Sequence, residues 1–327
     1  VTTAESPSRR RISSGRLLRA GFLVLVLALA LYFLFKNRDG IASAWHRVSV
    51  APVAGAFALS AAAAASGVPA WRDLLIGLGS RLRFRDAQRV FLMGQLGKYI
   101  PGGVWTVLAQ ATMAKDLNVP RARSATASLM SILLAVVTAA GLGAVCLGIA
   151  GRQILGTYGY VLLLVVPLLA LLHPDVLVRF GAVISKITRR NLPLERIPAR
   201  TILTSAGWLV LGQICNGLAF YLLVDSIGGQ RSNPLLDIGL FALAAVAGIV
   251  VVFAPAGVGP REAILLLGLS AVLSDTGSAA LIVLMSRLLL TIVDVALAAG
   301  AAGIGWRPRA GGRRAVSETD PADLEGR

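Results

Sequence analysis

Charge is what this chain has least of. Asp, Glu, Lys and Arg together make up 15% of its 327 residues, against about 25% in typical soluble domains, and this excludes an ordinary water-soluble globule. Cysteine and histidine are nearly absent, at two residues each. Cys146 and Cys215 fall within apolar runs, where thiols behave as small hydrophobes, so a disulfide framework and redox chemistry are disfavoured. His46 and His173 are far apart and form neither a metal pair nor a nucleophile–base couple. No Gly-x4-Gly-Lys-Ser/Thr phosphate loop occurs, which argues against ATP-driven pumping by this chain alone. Aromatics make up 6% of the chain and do not interleave with its basic blocks, so the base-stacking surface expected of a nucleic-acid binder is missing. No catalytic triad is visible, and no cofactor or metal site is expected.

What the chain has in abundance is apolar length. Hydrophobic residues make up 56% and the mean hydropathy is +0.75. Runs approaching or exceeding the roughly 18 residues that mark a bilayer-spanning helix recur along most of the sequence. The net charge of +16 is not spread evenly, since 25 of the 32 Lys and Arg residues sit in blocks 1–19, 71–123, 173–200 and 306–327. Such clustering is the signature of cytoplasmic loops, and it suits contact with anionic lipid headgroups.

Five arginines precede the first run at 21–35. Its flank Lys36-Asn37-Arg38-Asp39 separates the run from Ala42-Ser43-Ala44, which favours a spanning anchor over a cleaved signal. Further spans are expected at 50–70, 124–150, 158–172, 201–224 and 279–303. The second is rich in Ala, Gly and Ser, which allows close helix contact. A surface-lying amphipathic helix or a packed linker is expected over 176–187. The fold class is therefore all-α: a polytopic integral membrane helical bundle of about six full spans plus two interrupted or re-entrant hydrophobic units. It divides into a basic cytoplasmic tail (1–19), a transmembrane domain (20–305) and a cytoplasmic tail (306–327), multi-pass in a bacterial plasma (inner) membrane with both termini cytoplasmic.

The two interrupted units carry the chemistry. One contains Gly97-Lys98-Tyr99-Ile100-Pro101-Gly102-Gly103, and basic residues flank it on both sides. It should enter and leave by one face, with Pro101, Gly102 and Gly103 supplying the break. The other contains Pro255-Ala256-Gly257-Val258-Gly259-Pro260-Arg261-Glu262. Here Pro255, Gly257, Gly259 and Pro260 break the helix, and the resumed stretch is too short to cross the bilayer. Its first turn offers exposed N–H groups that favour an anion. Irregular backbone at membrane depth is tolerated only beside protein or a wet cavity, so paired breaks in two halves point to a transporter site. In the last span Arg287 and Asp294 lie seven residues apart, two turns along one face. Each mid-span charge costs roughly 3 kcal/mol. Pairing Arg287 or Arg261 with Glu262 or Asp294 would lower that cost. Two uses remain open: a structural ion-pair cluster, or a site where Lys98, Arg261 and Arg287 attract a lipid phosphate while Glu262 and Asp294 orient them or receive an amine. Gln95, Gln110, Gln213 and Asn216 are expected to hydrogen-bond between helices.

At these two motifs the chain resembles the lysylphosphatidylglycerol synthase transmembrane-region family, the flippase-like membrane domain also found in bacterial multiple peptide resistance factors. The sharper half is the Gly-x-Gly-x-Arg-Glu pattern from Gly257 to Glu262, and the likeness extends over roughly residues 15 to 305. It implies a helical fold with two re-entrant regions that moves or binds an anionic or aminoacylated lipid. Only about 25 residues follow the last span, so the aminoacyl-transferase activity that names the family is not expected.

The expected function is flippase-like lipid transport without enzyme activity, with a membrane phospholipid or polyprenyl-phosphate lipid as partner. The alternatives are a membrane-embedded enzyme acting on such a lipid, for which Ser286 or Thr291 would have to supply a nucleophile, and a noncatalytic partner of a cell-envelope enzyme. A homo-oligomer is compatible with each.

Overall fold

A computed structural model describes residue 35 and residues 38–100, 103–150, 197–227, 233–251, 257–273 and 275–303. The expected spans at 21–35 (but for its last residue) and 158–172, the 176–187 helix, both tails, and Pro101, Gly102 and Pro255 lie outside the described residues. Among those described there are nine α-helices, one 3₁₀ turn and no strand. The helices are α1 (Arg38–Trp45), α2 (Val50–Gly77), α3 (Phe84–Gln95), α4 (Trp105–Lys115), α5 (Arg121–Ala150), α6 (Ala199–Asp225), α7 (Pro234–Val250), α8 (Pro260–Ser270) and α9 (Thr276–Gly303). The 3₁₀ turn, Leu96–Tyr99, follows α3 directly.

Among the described residues four helices are long and apolar enough to cross a membrane: α2, α5, α6 and α9, of 28, 30, 27 and 28 residues. At 1.5 Å per residue each rises about 40 Å, more than the hydrocarbon core of about 30 Å. Without a hydrophobic drive between helices in lipid, small residues decide which of them touch. The α2–α6 pair shows this. A methyl on Gly212 would lie 2.5 Å from Ser66 Oγ and 3.2 Å from the Ala63 carbonyl, and Ser205 Oγ donates to the Ala70 carbonyl at 3.1 Å. Further along α6, a methyl on Gly217 would come within 2.5 Å of Ile238 Cα in α7.

Ties between helix ends sort them onto two faces. On the first, Ser49 N–H donates to the Ser226 carbonyl at 2.8 Å, and Arg47 reaches Asp275 at 3.4 Å and Ser278 at 3.1 Å. The Ser278 hydroxyl and the N–H groups of Gly277 and Ser278, with Arg47 nearby, hold the Asp275 carboxyl below the usual carboxylate range. On the second face Arg123 donates to the Gly79 carbonyl at 3.1 Å, and Leu78, Leu82, Val119, Ile197 and Ala301 share one buried cluster. This face is the basic one. Among the described residues it carries Arg72, Arg81, Arg83, Arg85, Lys115, Arg121, Arg123 and Arg200 against Asp73, Asp86 and Asp116, whereas the first has Arg38 and Arg47 against Asp39, Asp225, Asp237 and Asp275.

Four of the remaining helices form two hairpins that enter from opposite faces. The α3–α4 hairpin begins near Leu82 and ends near Val119, both on the basic face. Its legs run antiparallel: a methyl on Gly94 would strike the Gln110 side chain, and one on Gly97 would meet Thr106 N at 2.5 Å. Trp71 Nε1 donates to Ser128 Oγ at 3.0 Å, and Ser128 donates to Gln110 Oε1 at 2.5 Å, which ties this hairpin to α2 and α5. The α7–α8 hairpin starts near Leu236 and ends near Leu273, which share a cluster with Ala44, Ile227 and Ala279 on the other face. Its legs are antiparallel too, with Gly248 against Arg261 and Gly268 against Leu240. The α7 helix opens with Asn233 Oδ1 accepting from Leu235 N–H at 3.0 Å and Pro234 at its first position, a standard N-terminal arrangement. The α7 and α8 legs, 17 and 11 residues, rise only about 26 and 17 Å, so neither crosses the core. The unit expected over 238–273 is therefore re-entrant, and both of its ends lie on one face.

This arrangement predicts a labelling pattern in a background with Cys146 and Cys215 replaced by Ala. Single cysteines at Arg83 and Lys115 should react with a membrane-impermeant maleimide from one side of sealed vesicles. Those at Asn233 and Asp275 should react from the other side. Labelling of Arg83 and Lys115 positions from opposite sides would contradict the first hairpin, and the same result at Asn233 and Asp275 the second.

Candidate functional site

The tips of the two hairpins meet on α9. Seven residues separate Arg287 from Asp294, a rise of about 10 Å along the helix, and each is served by a different hairpin. From the basic face, the 3₁₀ turn delivers Lys98 and Tyr99 together. Lys98 Nζ lies 2.6 Å from Asp294 Oδ2, and the Tyr99 hydroxyl donates to the same oxygen at 2.6 Å. The tight turn depends on Gly97, whose missing side chain lets the chain pass against the Thr106 backbone. Gly103, with φ of 66°, lies just before the return leg.

From the opposite face, the break before α8 delivers Arg261 and Glu262. Gly257 adopts φ of 72°, and a Cβ there would sit 2.7 Å from Gly248 Cα, so both backbone angle and space call for glycine. Gly259 caps α8 and Pro260 occupies its first position, where a missing N–H costs nothing. Glu262 then folds back. Its Oε2 accepts from Gly259 N–H at 2.7 Å, while Oε1 takes Arg287 Nη1 at 3.1 Å. Thr291, between the two α9 charges, donates its hydroxyl to the Arg287 carbonyl at 2.9 Å.

Arg261 is placed differently from the other cations. Its guanidinium carbon stands 4.7 Å from the centre of the Phe241 ring, a cation–π contact, and Phe241 in turn packs on Phe220 at 5.7 Å. Its Nη2 is sealed from solvent and has no hydrogen-bond partner among the described residues. The group is nevertheless close enough to Glu262, Arg287 and Asp294 for their charges to act on it.

All five charged residues singled out from the sequence thus come together, and the pairing is Lys98 with Asp294 and Arg287 with Glu262. Two expectations change. The first turn of α8 is not simply an open anion site, because the Glu262 carboxylate already caps it. Glu262 and Asp294 already accept internal donors, so an amine would have to share them with Arg287, Lys98 and Tyr99. Of the polar residues expected to bond between helices, Gln110 does so, but Gln213 Oε1 and Asn216 Oδ1 are buried with no partner among the described residues. Tyr99 and Phe241 were not assigned roles from sequence. Tyr99 stands next to Lys98 in a helix break and was open to notice, whereas nothing in the α7 sequence marks Phe241. Pro101, Gly102 and residues 252–256, which adjoin the two breaks in sequence, lie outside the described residues. A groove of about 410 Å³ lies elsewhere, between α1 and α9, lined by residues including Trp45, His46, Leu284 and Leu288 but by none of the five charged residues.

Four apolar membrane-length helices among the described residues, and two opposed hairpins that bring charge to the middle of one of them, α9, define the class: an integral, polytopic, all-helical membrane protein. The family model for the lysylphosphatidylglycerol synthase TM region matches residues 18–298, and the chain belongs to that family. No curated protein matches it in sequence.

The Lys98–Asp294 contact should be energetically coupled. Asp294→Ala leaves the Lys98 ammonium and Tyr99 hydroxyl without their acceptor, whereas the double replacement Lys98→Met with Asp294→Ala removes both charges. A double-mutant cycle of detergent-monitored unfolding should give a coupling of about 1 kcal/mol or more. Simple additivity would show that the contact is not formed.

Proposed function

We propose that this protein is a flippase-like lipid transporter of a bacterial inner membrane, which binds the headgroup of an anionic or aminoacylated lipid where the two hairpins meet. One observation carries the reading: hairpins entering from opposite faces bring their broken tips and charges to one place on α9. Interrupted helices in opposed repeats are how many secondary transporters build a binding site near the bilayer midplane, with access alternating between the two sides. A charge at that depth is costly to keep, and a negatively charged headgroup is a partner that rewards it. Membership in a family named for lysylphosphatidylglycerol supports a phospholipid as that partner.

The basic face is the cytoplasmic one by the positive-inside rule, which puts the α3–α4 hairpin on the cytoplasmic side and α7–α8 on the outer side. Transport requires no bond to be made or broken in the lipid. The residues at the second break, Gly257 to Glu262, include no Ser, Thr, Cys or His. The Thr291 hydroxyl is engaged with the Arg287 carbonyl and that of Ser286 with the Val283 carbonyl, which favours transport over covalent catalysis.

Reconstitution in vesicles with a headgroup-labelled phospholipid tests the reading. Arg261→Gln should lower protein-dependent translocation at least tenfold. Glu262→Gln, which removes the charge that holds Arg287, should lower it several-fold. Unchanged translocation in both variants, with the protein still folded, would contradict the assignment.

A further inference from the structure

The balance of charge within the cluster carries the reading one step further and makes it selective. Lys98, Arg261 and Arg287 face Glu262 and Asp294. Two of the three cations are neutralised by carboxylates at contact distance. One positive charge is left, and it resides on Arg261, the residue whose Nη2 is buried and lacks a partner among the described residues. The segments that adjoin the two breaks in sequence and lie outside the described residues are Val252-Phe253-Ala254-Pro255-Ala256 and Pro101-Gly102. Neither contains an acidic group, so neither supplies the missing countercharge. Phe241 contacts the guanidinium and cannot accept a hydrogen bond in the plane where Nη2 needs one.

A buried, hydrogen-bond-hungry guanidinium next to an otherwise neutral pair of ion pairs calls for one negative charge with oxygen acceptors. On this basis, and resting on the transport reading above, we infer that the cluster recognises a monoanionic phosphodiester through Arg261 and does not read the rest of the headgroup. The chemistry that follows is specific. A phosphodiester carries one charge, so the occupied site is neutral. A phosphomonoester carries between one and two negative charges near neutral pH, and its second charge would be buried without a partner, at a desolvation penalty. An aminoacyl group adds an ammonium, but both carboxylates that might receive it already accept internal donors. The amine therefore gains little at this site.

The test is a binding panel on the full chain in an uncharged detergent, read by native mass spectrometry. Its probes are phosphatidylglycerol, lysylphosphatidylglycerol, phosphatidic acid and the water-soluble headgroup glycerophosphoglycerol. Phosphatidylglycerol and its lysyl form should bind within about threefold of each other. Phosphatidic acid should bind about tenfold more weakly at pH 8, and glycerophosphoglycerol should fail to compete at equal concentration. Arg261→Gln should weaken phosphatidylglycerol and lysylphosphatidylglycerol equally, by tenfold or more, and Arg261→Lys should restore part of the loss. Preference for the lysyl lipid by more than tenfold, or for phosphatidic acid, would overturn this inference while leaving lipid transport intact. Equal competition by glycerophosphoglycerol would overturn the lipid as the source of the phosphodiester. If none of the lipids bound, the transport reading would fall with it. The wild-type panel needs no variant to fold, so the selectivity is testable even if Arg261→Gln is unstable.

Discussion

The cost of placing charge in the membrane interior organises this structure. Arg287 and Asp294 sit in the middle third of α9, too far from either end for their side chains to escape easily to water. Each must be met by something that reaches the same depth. Long spanning helices can bring side chains there, but a hairpin can also bring a helix end, with its unpaired backbone groups and its sharp turn. The protein uses one hairpin from each face. Lys98 and Tyr99 close on Asp294, and Glu262 closes on Arg287 while capping its own helix. The charges on α9 and the breaks in the hairpins therefore satisfy one another, and neither would be tolerable alone.

The spanning helices serve as the frame for this meeting. α2 and α6 pack through small residues and interhelical hydroxyl contacts, and the Trp71–Ser128–Gln110 chain anchors the first hairpin to two of the spans. The second hairpin is held by apolar packing of α7 and α8 on α6 and α9, including the Phe220–Phe241 pair. That packing is also what sets Arg261, because its guanidinium rests on the same Phe241 ring. Opposed hairpins bring one broken tip from each face to the pair of charges on α9.

Much of this was open to reading from the residues. Apolar run lengths gave the spanning helices to within a few residues at most ends, as with 124–150 expected and Arg121–Ala150 found. The distribution of Lys and Arg showed that the segment around Pro101 returns to its own face. For the second break no such flanking charge exists, and only the packing of Leu236 and Leu273 into one cluster shows that it does the same. The five charged residues stood out because charge is rare in apolar surroundings. Their partners did not. Which carboxylate takes which cation depends on helix rotation and on hairpin depth, and a sequence records neither. The role of Phe241 was hidden for a related reason: an aromatic among many apolar residues carries no mark of the arginine it will support.

The convergence of both hairpin tips on α9 is most directly measured by cross-linking paired cysteines in a background with Cys146 and Cys215 replaced. One variant carries cysteines at Lys98 and Asp294, the other at Glu262 and Arg287, and both are treated in membranes with a short bifunctional maleimide of about 8 Å reach. Efficient cross-linking in both variants, detected as a peptide bridge after proteolysis, is the predicted result. If either pair failed to cross-link while the protein remained folded and both thiols reacted singly, the two hairpins would not meet on α9, and the account would be contradicted.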